Sequence, residues 1–130
     1  MKRMVQLIVG AVGVLWLTGA APDAHHSFAA TYHEDQLVMI EGELVQFLYR
    51  NPHSFVHVMA PDKDGKMQRW AIEWGAISQL NRQGVERYTL KVGDKVQISG
   101  APARNPDDHR LLMRRLVRPS DGFTWAAQVG

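Results

Sequence analysis

Six histidines stand out in a chain of 130 residues that has no cysteine: His25, His26, His33, His53, His57 and His109. Imidazole is the commonest transition-metal ligand where thiolates are missing, and it favours copper, zinc or nickel. The absence of Cys excludes disulfides, thiolate metal sites, Cys nucleophiles and a lipid anchor on Cys. Spacing limits the metal idea. His53 and His57 share one face of an expected strand, but four residues of extended chain separate their backbones by roughly 13 Å. Two ligands at about 2.0 Å from one ion do not normally span that. A site would need His25 and His26 to fold back from the entry segment onto His53, with His57 a weaker member, and copper or zinc is the metal such a set would take. Cleavage of the chain after Ala24 would add an amine to the His25 imidazole. The competing reading makes these histidines ordinary surface or turn residues, with His57 a half-buried strand residue hydrogen-bonded to a neighbour.

Nothing in the sequence spells out an enzyme. Ser27 beside His26 is adjacency without a triad, and no G-x-S-x-G, paired-carboxylate or H-E-x-x-H pattern occurs. Glu73 reads as a lone carboxylate. Trp70, Ile72 and Trp74 alternate on one face of a strand and could stack sugars or bases, but alternating large apolar residues on a central strand usually fill a core. The function these features point to is a non-catalytic binding module for a partner protein or small ligand, with a periplasmic His-based copper or zinc protein as the alternative.

The first 24 residues look like an export signal. Lys2 and Arg3 precede an apolar run from Met4 to Leu17, and the small residues Thr18-Gly19-Ala20-Ala21 follow. Cleavage between 20 and 24 would leave about 106 to 110 residues, enough for one modest core. The run is too short for a membrane anchor, which needs about 20 apolar residues. The expected location is therefore periplasmic or secreted, with no membrane span after cleavage. Losing Lys2 and Arg3 would leave as many basic residues as the 13 acidic ones, so nucleic acid is not an expected partner. Arg104, Arg110, Arg114, Arg115 and Arg118 still crowd the last third, as a solvated face or a docking patch.

The elements that must position these residues follow from periodicity. Val38 and Ile40 share one parity, while Val45, Phe47 and Tyr49 share the other, which predicts a long first strand with an extra residue near Gly42. Asn51-Pro52 breaks it. Ser54–Ala60 and Met67–Trp74 form strands two and three around a Pro61–Gly65 hairpin loop. Ile77 and Leu80 at helical spacing, with Gly84 as a stop, predict a helix of about two turns. Lys95–Ser99 and Leu111–Val117 are strands four and five. The order strand-strand-strand-helix-strand-strand is that of a five-stranded OB-like Greek-key barrel. The chain divides into a signal peptide (1–24), the OB-like barrel domain (25–118) and a C-terminal tail (119–130).

Ala24-His25-His26-Ser27-Phe28-Ala29-Ala30, Asn51-Pro52-His53, Trp70-Ala71-Ile72-Glu73 and Leu90-Lys91-Val92-Gly93-Asp94 together resemble a family of small exported bacterial domains of unknown function. The resemblance spans roughly residues 24–118. It implies an envelope location and no established activity, so it assigns no site residues; the Pro-rich 100–110 loop and the end from Phe123 depart from it.

Overall fold

The computed structural model describes residues 24–128, with side chains from residue 28 onward. The expected signal peptide, apart from Ala24, lies outside the described residues. The elements are α1 (Ala24–Thr31), β1 (Val38–Leu48), β2 (Phe55–Pro61), β3 (Met67–Glu73), α2 (Ile77–Arg82), β4 (Lys95–Pro102), β5 (Arg110–Arg118) and β6 (Phe123–Ala126). Strands β3-β2-β1-β4-β5 run side by side, and β3 closes on β5 through parallel pairing of Ala71–Glu73 with Arg110–Leu112. This is the five-stranded OB-like barrel, with α2 after the third strand.

Strand β1 serves both halves of the barrel. It pairs with β4 over Val38–Glu43 and with β2 over Glu43–Leu48. Gly42 sits at the changeover because the chains almost touch: a Cβ there would lie 2.0 Å from the Met59 carbonyl oxygen. The extra residue is not near Gly42, however. The register shifts between Leu44 and Gln46, so Val45 is the bulged residue. Ile40 and Leu44 face the core before the bulge and Tyr49 faces it afterwards, which corrects the expected position by three residues. Glycine solves a contact and the bulge solves the parity.

The core is built from β2 (Val56, Val58, Ala60), β3 (Trp70, Ile72, Trp74) and the facing residues of β4 and β5. Trp70, Ile72 and Trp74 are 8%, 0% and 4% exposed, so they are core residues rather than a stacking platform. Three consecutive residues of β5, Leu111, Leu112 and Met113, are buried. Strand alternation forbids that with one core; Leu112 instead joins Tyr32 and Ala101 in a second small cluster, against which Phe28 of α1 packs.

Both ends of the described chain carry more structure than expected. The entry segment, expected to hold no element, is helix α1, and Tyr32 just after it bridges to Ala103. The stretch from 119, read as a tail, turns at Gly122 and adds β6 to β5, burying Trp125 edge-on to Trp74 at 5.1 Å. Two alternating apolar residues in a four-residue strand are too short a pattern to mark a strand by periodicity alone.

Candidate functional site

The Asn51-Pro52 turn, whose peptide bond is cis, is fastened at both ends. Asn51 Oδ1 accepts the backbone N–H of Ile77 at 3.0 Å, at the start of α2. Ser54 is fully buried; its hydroxyl bonds Arg50 at 3.1 Å, while its backbone pairs with Gly75 and Trp74. Held this way, His53 presents Nδ1 to Glu73 Oε1 at 2.7 Å. An ionised carboxylate only accepts, so Nδ1 carries the proton and Nε2 is left over.

Glu73 is therefore not a lone carboxylate. Its Oε2 accepts from the Tyr32 hydroxyl and from Arg110 Nη2 at 2.8 Å, and Arg110 Nε donates to the Tyr32 oxygen at 2.7 Å. The guanidinium also lies over the rings of Tyr32 and Phe55, at 5.5 and 5.3 Å. Phe28 packs on the His53 ring with centroids 5.5 Å apart. Burial pushes the Glu73 carboxyl up, but the hydrogen bonds from Tyr32, Arg110 and His53 and the Arg110 charge together hold it below the usual range. Burial first, then the bond to Glu73, raises the Tyr32 hydroxyl well above its ordinary value. Burial opposes the Arg110 charge, yet its bonds to Glu73 and Tyr32 raise its pKa. Three of the quoted sequence motifs thus meet around one carboxylate, through Phe28, His53 and Glu73. Sequence reasoning missed Tyr32 and Arg110. The available signal was a glutamate between Ile72 and Trp74 on a central strand, because a buried charge demands partners.

The four candidate metal ligands are not gathered by the described side chains. His25 and His26 fall in α1, where only the backbone is described. His57 Nδ1 receives Arg69 Nε at 3.3 Å, and burial, then the charges of Arg69 and Arg50, lower its pKa. His33 lies 3.4 Å from Arg104, and His109 sits edge-on to Trp70 with Nε2 4.0 Å from Asp62. Among the described residues no group of three or more His, Asp or Glu is placed to hold a metal ion. The Arg-rich last third is largely occupied internally: Arg104 donates to the Ala29 carbonyl, Arg110 to Glu73, Arg114 to Glu34, and Arg118 to Asp94 and Asp121.

The described residues also form several concave surfaces. A groove of about 1040 Å³ runs between the β2–β3 loop, the β4–β5 loop and the start of β1, floored by Val38, Ile40 and Trp70 and rimmed by Lys63 and Arg104. Asp62 stiffens one wall by accepting from Asp64 N, Lys66 N and Gln68 Nε2 within 3.0 Å. Met39, 71% exposed, continues its apolar floor outward. A smaller cleft of about 330 Å³ lies between α2, β5 and β6, walled by Trp74, Trp125 and Met113.

The model of the Family of unknown function (DUF6152) matches residues 14–112, most of the chain, and the protein belongs to that family. No curated protein and no solved structure matches it.

Proposed function

We propose that this member of a family without an assigned role is an exported, non-catalytic binding module that holds an extended segment of a partner protein in the groove beside Trp70. One observation carries the reading. The groove joins a buried apolar floor to the exposed Met39, and its far wall is the β4–β5 loop, which OB barrels use for recognition. At about 1040 Å³ it exceeds what one small molecule fills in most pockets, and an apolar side chain left in water on its lining favours a larger occupant. The Glu73 cluster supports the non-catalytic part: a carboxylate with both oxygens engaged and a depressed pKa is a poor base.

A photo-crosslinking residue at Lys63 tests the groove in cells. The expected result is one discrete adduct, lost when Met39→Asp is added, and no such adduct from the same group at Tyr88, an exposed residue outside the groove. Equal labelling from both positions, or none from Lys63, overturns it. Export is checked separately by fusing residues 1–24 to a reporter, which should be exported and cleaved.

A second reading has its own observation. Glu73 fixes the Nδ1 proton of His53 and leaves Nε2 as the available ligand atom, the arrangement that orients metal-binding imidazoles. Phe28, packed on that ring, belongs to the same helix as His25 and His26. His57 has no part in it, because its Nδ1 faces Arg69. In a copper titration, His25→Ala with His26→Ala should then abolish tight binding, and affinity should fall as pH drops through about 6.5. Affinity unchanged in the double variant removes this reading and leaves the groove untouched.

A further inference from the structure

The cleft between α2, β5 and β6 shares no lining residue with the groove. We infer that it is a separate site for a small, neutral, aromatic molecule carrying a carbonyl acceptor. Its apolar part is flat: Trp74 and Trp125 meet edge to face, with Phe28, Leu112 and Met113 beside them on the lining. A cavity of about 150 Å³ suffices to hold benzene, so about 330 Å³ takes one ring with a substituent.

The polar groups decide the chemistry. Trp74 is 4% exposed, and its indole Nε1 is buried with no acceptor among the described residues. An N–H left so costs free energy that an acceptor returns. The other two described core tryptophans show what is missing: Trp70 Nε1 donates to the Ala60 carbonyl at 3.2 Å and Trp125 Nε1 to Gln83 Oε1 at 3.0 Å. The donor left over at the apolar end is thus the Trp74 indole N–H. Charge is balanced. Glu34 and Arg114 face each other across 3.4 Å, and Glu73 is neutralised by Arg110. A ligand with a formal charge would have to break one of those pairs, whereas a neutral carbonyl breaks none.

Position supports the assignment. Arg114 is the extra residue where the β4–β5 register shifts, since Ser99 pairs with Arg115 and Gly100 with Met113. Bulges re-aim side chains, and this one places Arg114 on the cleft lining, opposite Glu34.

The test follows the indole N–H resonances of the full chain by two-dimensional NMR during titration with benzamide, benzoate and toluene. Trp74 is assigned through Trp74→Phe. Benzamide should move the Trp74 indole resonance downfield and leave that of Trp70 in place, while toluene should bind without the downfield shift. Trp74→Phe should weaken benzamide about fivefold, the worth of one net hydrogen bond, and leave toluene unaffected. Benzoate should bind more weakly than benzamide, and Glu34→Gln, which leaves Arg114 without its carboxylate at the cleft rim, should reverse that order. A Trp74 resonance indifferent to millimolar benzamide overturns the site. So does an unchanged preference in Glu34→Gln, even should Trp74→Phe fail to fold.

Discussion

Glu73 ends β3 and Trp74 follows it directly, both buried, and their polar atoms meet opposite fates. Glu73 faces α1 and accepts from three side chains, Tyr32, His53 and Arg110. Trp74 packs in the barrel core, and its indole N–H has no acceptor among the described residues. The strand imposes this division, since adjacent side chains point to opposite faces. One face is a closed polar lock that ties the entry helix to the barrel. The other carries an indole N–H left one acceptor short. A saturated cluster serves stability and an unsatisfied one invites a ligand, so the two should respond differently to the same kinds of change.

The largest difference should come from removing the carboxylate. Glu73→Leu leaves the Tyr32 hydroxyl and the Arg110 guanidinium without their acceptor, and breaking such a pair costs about 3 to 5 kcal/mol. Denaturant unfolding should show it as a lower midpoint with unchanged slope. Because the lost partners belong to β5 and to the residue following α1, protection of Tyr32 and Phe28 amides from hydrogen exchange should fall first. A loss below about 1 kcal/mol would mean that the lock is ornamental and the comparison fails on its polar side.

Protonation breaks the same lock reversibly. The Glu73 pKa is depressed in the fold, so its contribution is complete above the unfolded value near 4.5 and is lost as pH falls below it. Tyr32 works at the other end. Its pKa is raised, so its contribution is complete below the unfolded value of 10.0 and disappears as pH rises above that. Neither Glu73 nor Tyr32 adds a slope between these limits. Glu73→Gln should flatten the acid limb and Tyr32→Phe the alkaline limb, both read by thermal unfolding across pH. Limbs that persist in both variants would assign the pH dependence to other groups.

The two faces were also unequally legible in the sequence. Trp70, Ile72 and Trp74 declared themselves as core by alternation, and Ile77 with Leu80 declared α2, because those patterns repeat within a few residues. The lock did not. Tyr32, His53 and Arg110 reach Glu73 from three separate elements, and nothing local says that positions 32 and 110 approach position 73. Glu73 itself, a charge between two large apolar residues, was the visible half of that arrangement. The parity change along β1 was legible, but its cause was divided between Gly42, which admits the Met59 carbonyl, and Val45, which carries the bulge. The histidines show the reverse error. His53 and His57 look equivalent by spacing, yet one faces a carboxylate and the other a guanidinium, a distinction set by cross-strand neighbours.

The smallest effect sharpens the comparison most, because it uses the same substitution on one strand. Trp70 and Trp74 are both buried, two residues apart, and point into the same core. Replacing either by Phe removes a similar volume and creates a similar void, so those costs nearly cancel between the two variants. What does not cancel is the indole N–H. In Trp70→Phe the hydrogen bond from the indole to the Ala60 carbonyl at 3.2 Å is lost, and one net bond is worth about 0.5 to 1.5 kcal/mol. In Trp74→Phe no bond is lost, and a buried donor without a partner disappears. Trp70→Phe should therefore be the less stable variant by about 1 kcal/mol or more, measured side by side in one denaturant series. Saturating benzamide should raise the midpoint of the wild-type protein and barely move that of Trp74→Phe, because a ligand stabilises only what it binds. Equal stabilities without ligand would show that Trp74 already has an acceptor, and the contrast between the two faces of β3 would then dissolve.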